Sequence, residues 1–488
     1  MRGKEILKLN IIFNIIYQAV NVLSPLIITP KISRVFGADY LGVKSYTFSI
    51  VYYFAVFGVL GLDMYGQRKI ALEKDELEAR SRSFWTIYIA RFLLAAVSTL
   101  IYAAFLAIAV SDPFERIIFL CWLIYLIRNM INPIWFLQGI EKYQFISICE
   151  IVSQLAYLSA TFLFINEKSQ LPLYIVFYTA IPLAISIVYI PVVLRNVKIT
   201  KIDPGEMVLA IQESFVYFIP TIATAIYSMI DKTMLGIFDS TKISTGLYEA
   251  AEKLVKVALA VSTSSFTIMR TRMSYLYGQK DREVYKKYSQ IFISLSMILC
   301  WPIMFGIMGI AKDFVPLFFG EGFEAVVGYS NIFALVVPCL TVSGLLQAIY
   351  IFPYGLQKIM DYYYIIIVTV NVVMNYVLIQ LIGTPGAIIS SICAELLLAV
   401  ILLWKARTEI EVRYIFTSSA KYFISAAFMY MYIRLVSNYL VCGEIPKVMI
   451  EFGGAVFVYF LLCLLFRDDF VTQQAKKVAH IGLSFLRK

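Results

Sequence analysis

Charged and histidine side chains are scarce in this chain of 488 residues. Asp, Glu, Lys and Arg make up only 15% of it, whereas a soluble domain has about 25%. The one histidine is His480, close to the C-terminus, which excludes a histidine-based proton relay, catalytic dyad or metal centre in the apolar body of the chain. The seven cysteines stand singly and form no CxxC pair, so neither a zinc site nor a disulfide framework is indicated.

Motifs of nucleotide hydrolysis and of common catalytic centres are also missing. The chain has no GxxxxGK[ST] loop to hold phosphates, no GxSxG and no HExxH. No segment longer than about 20 residues lies outside the apolar runs, which leaves no room for a soluble domain of ordinary size. The sequence therefore predicts a protein that is not an enzyme and that uses no cofactor or metal.

Long apolar runs, by contrast, fill the chain almost from end to end, and 60% of its residues are apolar. A bilayer core of about 30 Å needs about 20 such residues per helical span, and runs of that length recur about fourteen times. They cover 9–30, 41–62, 83–110, 114–136, 144–165, 171–194, 207–231, 245–268, 287–310, 327–352, 362–382, 384–404, 417–440 and 446–466. We therefore predict an all-α polytopic membrane protein with about fourteen transmembrane helices.

Lys and Arg residues lie mainly in alternate loops, which predicts the orientation. With the N-terminus inside, the inside loops hold about 28 Lys and Arg residues and the outside loops about 9. An even number of spans with both termini in the cytoplasm fits this pattern. The net charge of +10 is then mainly a topology signal that also attracts anionic lipid head groups, and nucleic-acid binding gains no support.

Polar side chains inside the apolar runs are the candidate site residues, because such groups are costly in a bilayer and commonly face a watery cavity. In the first run Asn10, Asn14, Tyr17 and Asn21 recur at helical spacing and so share one helix face. An alternative for these residues stays open, since Asn often serves only to hydrogen-bond neighbouring membrane helices.

The seventh run carries a narrower polar stripe. Glu213, Tyr217, Thr224 and Asp231 fall on one side of an otherwise apolar helix. We predict that Tyr217 and Thr224 line a substrate cavity. The two carboxylates of this stripe are further candidate site residues.

Charged side chains in other runs complete the predicted site. The eighth run holds two oppositely charged pairs at i,i+4 spacing, which either line the cavity or form structural ion pairs. Single arginines lie deep in the third and fourth runs. These candidates are the cations Lys253, Lys256, Arg91 and Arg128 and the carboxylates Glu249 and Glu252.

An internal repeat organises the chain. The loop from Arg34 to Tyr46 and the loop from Gly236 to Ala250 each lead to a glycine, Gly42 or Gly246, that opens a helix. An offset of six spans between them predicts parallel repeats related by an axis along the membrane normal. The predicted parts are an N-terminal lobe 1–194, a cytoplasmic linker 195–206, a C-terminal lobe 207–404, two extra helices in 405–466 and an amphipathic interfacial tail 467–488.

Several motifs resemble the polysaccharide transporter family of the multidrug/oligosaccharidyl-lipid/polysaccharide flippase superfamily. They agree with that family in order and spacing over essentially the whole chain. The motifs are Pro30-Lys-Ile-Ser-Arg-Val-Phe-Gly37 with Tyr40-Leu-Gly42, Phe57-Gly-Val-Leu-Gly-Leu-Asp-Met-Tyr-Gly-Gln-Arg68, Asp231-Lys-Thr-Met-Leu-Gly236 and Gly246-Leu-Tyr-Glu-Ala-Ala-Glu-Lys-Leu254.

The resemblance implies a flippase of a bacterial cytoplasmic membrane. Such proteins move an undecaprenyl-pyrophosphate-linked sugar repeat unit from the inner to the outer leaflet, while two lobes alternate around a hydrophilic cavity. Deep cations would then contact the pyrophosphate, Asn and Tyr of the first helix would bond sugar hydroxyls, and polysaccharide polymerase or assembly machinery would be partners. The first helix lacks the arginines of the lipid II branch, which favours a capsule, O-antigen or teichoic-type repeat unit.

Two alternatives to a flippase remain. A multidrug exporter of the same superfamily, coupled to Na⁺ or H⁺, would use Glu213 and Asp231 as its coupling carboxylates. A membrane glycosyltransferase or polymerase would carry a sizeable outside loop with catalytic groups, and no such loop is present. Without a nucleotide site, the alternatives for the energy source are a Na⁺ or H⁺ gradient, the membrane potential, and consumption of the product on the outside. If a cation is used, the candidate coupling carboxylates are Glu213, Asp231, Glu249 and Glu252.

Overall fold

The computed structural model describes residues 2–466, without the side chains of residues 2–12, 14, 15, 22 and 261. The predicted tail helix 467–488 and the side chains of Asn10 and Asn14 therefore lie outside the described residues. Every regular element in the described part is helical. The chain divides into two compact units, Met1–Gly246 (unit 1) and Leu247–Lys488 (unit 2).

Unit 1 is built from eight α-helices and one 3-10 turn, Lys168–Gln170. The helices are α1 (Arg2–Val59), α2 (Leu62–Leu72), α3 (Leu77–Ala109), α4 (Pro113–Ile131), α5 (Ile134–Gly139), α6 (Tyr143–Phe164), α7 (Leu171–Leu194) and α8 (Pro204–Phe238).

Unit 2 takes most of the ninth helix and the seven that follow, with a π-helical turn at Gln347–Ile351. The helices are α9 (Ile243–Gly278), α10 (Arg282–Phe319), α11 (Ala325–Phe333), α12 (Val336–Leu346), α13 (Gln357–Ile382), α14 (Thr384–Ala406), α15 (Val412–Tyr439) and α16 (Glu444–Leu465).

Aspartates fix where three of these helices begin. Asp112 accepts a hydrogen bond from the backbone N–H of Glu115 (2.7 Å), and Asp281 accepts one from Val284 (3.1 Å). Asp203 accepts one from Gly205 (2.8 Å) and is followed by Pro204 at the first helical position. An N-cap carboxylate satisfies an N–H that has no partner in the first turn and interacts favourably with the helix dipole.

The first two predicted runs are continuous in the structure except at one glycine. Gly37 lies at φ 70°, ψ 178° inside α1, and this non-helical residue separates the two helical parts. The predicted loop between 30 and 41 is therefore mostly helical. Glycine adopts positive φ without a Cβ clash, so one residue redirects the chain where a longer loop was expected.

Nine helices in the described part are long and apolar enough to cross a membrane, or ten when the bent pair α1–α2 is counted as one span. All-helical architecture with many apolar spans thus agrees with the sequence prediction. The runs predicted at 114–136, 245–268 and 417–440 lie on α4, α9 and α15, which are not among the nine. The count of fourteen spans and the repeat lobes stay predictions.

Two apolar clusters hold unit 1 together. The first surrounds Trp122 of α4, whose Nε1 donates to Thr47 Oγ1 (3.0 Å), so the buried indole keeps a hydrogen-bond partner. The second surrounds Trp135 of α5 and includes Leu62 and Ile70 of α2 and Tyr189 of α7. This second cluster anchors the short helix α2 on one side, which leaves its other side for α8.

The two glycines of the predicted repeat meet at one helix crossing in unit 1. A Cβ on Gly42 would lie 1.8 Å from the carbonyl oxygen of Lys242, and a Cβ on Gly246 would lie 1.9 Å from that of Ala38. Any larger residue at either position would push the two backbones apart. Close backbone approach therefore explains both glycines, whatever the origin of the repeat.

In unit 2, α10 packs against α12, α15 and α16, and α13 packs against α14. Buried polar groups join the second pair, since Ser390 Oγ donates to the carbonyl oxygen of Asn371 (2.9 Å) and Asn371 Nδ2 donates back to Ser390 Oγ (3.2 Å). Such bonds replace water as partners for polar groups between membrane helices.

Candidate functional cleft of unit 1

A cleft of about 360 Å³ lies in unit 1 between α2 and the first half of α8. Its walls combine cationic, acidic, phenolic and aliphatic side chains. The lining residues are Tyr65, Arg68, Lys69, Leu72, Glu213, Val216 and Tyr217.

Helical spacing brings these side chains together. On α2 the lining positions follow i, i+3, i+4 and i+7, and on α8 they follow i, i+3 and i+4, so each helix turns one continuous stripe toward the cleft. The opposite side of α2, with Leu62 and Ile70, is buried in the second apolar cluster. The amphipathic pattern of α2 thus fixes which residues face the cleft.

Gly61 sets the distance between the two helices. It caps the N-terminus of α2 in the left-handed conformation (φ 77°), and a Cβ there would lie 2.7 Å from the carbonyl oxygen of Ser214 and 2.8 Å from the nitrogen of Phe218. Only glycine tolerates both the backbone conformation and this contact. The backbones of α2 and α8 therefore touch at Gly61.

Hydrogen bonds across the cleft join α2 to α8. Tyr65 OH donates to Glu213 Oε2 (2.7 Å), and Arg68 Nη1 donates to Tyr217 OH (2.9 Å). Lys69 pairs with Glu73 along its own helix (3.1 Å). Arg68 and Glu213 are exposed, so both polar contacts can exchange with a ligand from water.

Further basic residues on α3 and after α2 form ion pairs and hydrogen bonds within unit 1. Arg82 pairs with Glu206 (2.8 Å), Arg80 Nη2 donates to the carbonyl oxygen of Asn196 (2.8 Å), and both contacts tie the segment 195–206 to α3. Lys74 pairs with Glu141 (3.0 Å), and the hydrogen bond to that carboxylate raises the pKa of Lys74. The exposed ion pairs contribute little stability.

The structure places Arg91 in a buried ion pair. Only 1% of its surface is exposed; its Nε donates to Asp63 Oδ1 (2.6 Å), and its Nη1 donates to the carbonyl oxygen of Asn129. This arginine links α2, α3 and the end of α4. Its predicted contact with substrate stays a prediction, and the geometry favours a role in positioning α2.

Arg128 differs from Arg91, because its buried Nε has no hydrogen-bond partner among the described residues. The nearby Glu150 carboxylate on α6 is engaged by Tyr189 OH (2.9 Å). A buried guanidinium donor without a partner is costly. The predicted cationic role of Arg128 therefore remains open to a ligand.

The other candidates of α1 and α8 do not line this cleft. Asn21 Oδ1 accepts a hydrogen bond from Gln154 Nε2 (3.4 Å), and Tyr17 is half-buried. Thr224 bonds back to the carbonyl oxygen of Pro220 (2.9 Å), and Asp231 is buried with 6% exposure. Asn21 thus makes the interhelical bond that the sequence left open as an alternative.

The predicted ion pairs of α9 are formed in unit 2. Lys256 Nζ lies 2.6 Å from Glu252 Oε1, and Lys253 Nζ lies 3.8 Å from Glu249 Oε1. Both pairs follow the i,i+4 spacing along one helix. They offset part of the cost of placing charge in this helix, as expected for such pairs.

Sequence patterns identified only part of the cleft. Glu213 and Tyr217 were predicted as site residues, whereas Tyr65, Arg68 and Lys69 were not. The charges of Arg68 and Lys69 are explained in the sequence by membrane topology. Tyr65 and Arg68 also belong to the family motif that ends at Arg68, which by itself does not mark them as site residues. The i, i+3, i+4 spacing of Tyr65, Arg68 and Lys69 was the available signal.

Comparison with known proteins gives a consistent result. The family model described as "Polysaccharide biosynthesis protein" matches residues 7–269, more than half of the chain. Two curated proteins, both described as "Putative O-antigen transporter", are similar to it. The Escherichia coli (strain K12) protein is 26% identical over 52% of this chain and 61% of its own length, and the Shigella dysenteriae protein is 21% identical over 81% and 99%.

Two solved structures share the fold. The lipid II flippase MurJ in an inward closed conformation has a TM-score of 0.70 at 14% identity, covering 93% of this chain and 99% of its own. An inward-facing multidrug resistance MATE family transporter of the MOP superfamily has a TM-score of 0.64 at 11% identity, covering 83% and 96%. These findings confirm a multi-pass membrane fold. They also agree with the prediction that the protein is not an enzyme.

Proposed function

The chain belongs to the polysaccharide biosynthesis protein family, and from this premise we propose that it is a flippase for lipid-linked oligosaccharides. Its substrate would be an undecaprenyl-pyrophosphate-linked repeat unit for a capsule, O-antigen or teichoic-type polymer. It would work in a bacterial cytoplasmic membrane with both termini in the cytoplasm, and it would deliver its product to polysaccharide polymerase or assembly machinery.

The unit 1 cleft is the observation that carries this proposal. A pyrophosphate-sugar head group combines negative charge with many hydroxyls, and the cleft offers Arg68 and Lys69 beside Tyr65 and Tyr217. Arginine binds phosphate oxygens through paired N–H groups, and tyrosine stacks on sugar rings or bonds their hydroxyls. The aliphatic residues Leu72 and Val216 extend the lining on the side where a lipid tail could follow.

The contacts within the cleft suggest how the head group enters. Arg68 uses one N–H for Tyr217 OH, and a guanidinium has further donors for phosphate oxygens. Glu213 places one negative charge opposite these cations and holds Tyr65 by a 2.7 Å bond. A carboxylate in the binding region weakens the hold on an anion, and a transport site must release what it binds.

Alternating access of two lobes, with later contacts deeper in the membrane, completes the proposal. Arg128, Lys253 and Lys256 would contact the pyrophosphate after it leaves the cleft. The Nε of Arg128, which has no partner among the described residues, supports this role for Arg128. Asp231, Glu249 and Glu252 remain the proposed coupling carboxylates for a Na⁺ or H⁺ gradient, with Glu213 shared between cleft and coupling.

The decisive experiment deletes the gene in its native host and extracts the polyprenyl-linked oligosaccharides. We expect a lipid-linked repeat unit to accumulate on the inner leaflet and the surface polymer to be lost, with recovery when the gene is restored. Unchanged lipid intermediates in the deletion strain would overturn the flippase proposal.

A multidrug exporter is the second candidate, because a MATE family transporter shares the fold at a TM-score of 0.64. It would appear in the same deletion strain as new sensitivity to cationic drugs with normal polysaccharide. The basic lining of the unit 1 cleft disfavours a cationic substrate, since a positive field lowers the local concentration of cations.

A further inference from the structure

A buried carboxyl group near the start of α16 stands apart from the unit 1 cleft and from every predicted site residue. Glu451 has 0% of its surface exposed, and neither of its side-chain oxygens accepts a hydrogen bond from a donor in the described part of the chain. An ionised carboxylate without donors in an apolar interior is strongly unfavourable. The group therefore needs either a proton or a cation.

The neighbours of Glu451 come from three helices and a loop of unit 2. Glu451 lies one helical turn after Lys447 on α16, so both side chains project from the same face of that helix. Lys447 Nζ lies 2.8 Å from Asp313 Oδ1 on α10, which makes Asp313 and Glu451 neighbouring carboxyl groups. The other charged, polar and titratable groups around the pair come from α10, α15, α16 and the loop before α16. They are Lys312, Ser437, Asn438, Lys447 and Cys442.

The donors in this group are already directed to other acceptors. Lys447 Nζ lies 2.8 Å from Asp313 Oδ1, and Ser437 Oγ donates to Asp313 Oδ2. Lys312 Nζ donates to Asn438 Oδ1 (3.3 Å). Asp313 thus has the two donors an ionised carboxylate requires, whereas Glu451 has none among the described residues.

A proton on the Glu451 carboxyl removes the unfavourable charge from this site. Two neighbouring carboxyl groups in a buried site cannot both be ionised at low cost, and a neutral Glu451 has an O–H that Asp313 can accept. The Asp313 charge is then balanced by Lys447. A metal cation is disfavoured here, because the Lys447 ammonium group already occupies one Asp313 oxygen and no third carboxylate is present in the described cluster.

We propose that Asp313 and Glu451 form a proton-binding site in unit 2 and that Glu451 carries the proton in the arrangement seen here. The proton is shared between α10 and α16, so it stabilises their contact and is released if the two helices separate. In a transporter, a proton gradient could then act on the contact between α10 and α16, a consequence that rests on the proposed function. The protonation of Glu451 itself does not rest on the proposed function.

Infrared difference spectroscopy of the full-length protein in nanodiscs tests the site directly. A protonated carboxyl group has a C=O stretching band that ionised carboxylates lack and that shifts in D₂O. We expect Glu451→Gln to remove one such band from the spectrum at neutral pH. The matched control is Glu444→Gln, since Glu444 is an exposed residue of the same helix, and it should leave the band in place.

Glu451→Gln should fold, because its amide N–H₂ replaces the donor to Asp313. A second variant keeps the test decisive if it does not. Asp313→Asn removes the acceptor, so the Glu451 band should shift, or vanish as Glu451 ionises beside Lys447. A spectrum with no difference between wild type and Glu451→Gln, or a band unmoved by Asp313→Asn, would overturn the proposal. Neither spectrum depends on which substrate is transported.

Discussion

The unit 1 cleft and the Asp313–Glu451 site use the same types of side chain under opposite conditions. In the cleft, Arg68 and Glu213 are exposed and each holds one exchangeable phenol partner. In the Asp313–Glu451 site, Glu451 is fully buried and Lys447 is committed to Asp313. Charge that water can reach is available to a ligand, whereas buried charge must find its partner inside the fold.

Breaking the ion pair of the Asp313–Glu451 site should have the largest effect on stability. Lys447→Met leaves Asp313 without its cation beside Glu451, and we expect a loss of about 3 kcal/mol because both partners are mostly buried. Adding Asp313→Asn to that variant should recover most of the lost stability, since both charges are then gone. Thermal unfolding of the purified protein in detergent measures the differences.

The matched control is Lys312→Met. Lys312 is an exposed neighbour on α10 that bonds Asn438, and its replacement should change stability by no more than about 0.5 kcal/mol. Equal melting temperatures for Lys447→Met and Lys312→Met would contradict the assignment of Lys447 as the partner of a buried charge.

Gly61→Ala tests the backbone contact that shapes the cleft. The left-handed conformation costs an alanine about 1–2 kcal/mol, and the added Cβ must also move Ser214 and Phe218 on α8. We expect a loss of about 2 kcal/mol in the same unfolding measurement, together with weaker transport. Gly328→Ala is the control, because a Cβ there meets nothing within 4 Å. A Gly61→Ala protein as stable as this control would show that α8 moves away from α2 without loss of stability, which would contradict the assigned role of Gly61.

Arg68→Ala should impair transport without affecting stability, which is the opposite of Lys447→Met. Losing a charge-assisted hydrogen bond worth about 1.5 kcal/mol corresponds to about a tenfold loss of affinity for the substrate. Surface polymer produced by a complemented deletion strain is the readout, at matched membrane expression. Lys74→Ala removes a neighbouring cation outside the cleft lining and should leave export intact. Equal defects in both variants would indicate that general surface charge is what matters.

Tyr65→Phe should give the smallest effect. It removes the hydroxyl that bonds Glu213 but keeps the ring, so we expect a loss of about 1 kcal/mol or less in binding and a few-fold reduction in export. Tyr143→Phe at the exposed start of α6 provides a control for expression. A Tyr65→Phe protein as defective as Arg68→Ala would assign the phenol a direct role in substrate contact.

The all-helical membrane fold was predicted correctly, because a long apolar run in a bilayer has no alternative to intrachain hydrogen bonding. The i,i+4 pairs of α9 were predictable for a similar reason, since helix geometry alone places Glu252 beside Lys256. Arg91 was identified as an intramembrane cation, yet its partner Asp63 lies 28 positions away in the chain. Spacing along one helix carries no information about such a contact.

The two sites show the same limit. The α2 side of the cleft was missed because the positive charge of Arg68 has two explanations in a sequence, membrane topology and substrate binding. Glu451 was not singled out at all, because a single carboxylate in an apolar run gains meaning only when Asp313 is seen to face it. Its lack of donors is a property of three packed helices.

The sequence by itself determined that this is an all-helical membrane protein of a polysaccharide biosynthesis family, because apolar length and local motifs are encoded residue by residue. The tertiary structure alone decided that Gly61 brings α8 against α2, that Arg68 faces Tyr217, and that Glu451 meets Asp313. Those contacts depend on which helix faces pack together. Packing is fixed by the shape and burial of many distant side chains at once, so no single stretch of sequence specifies it.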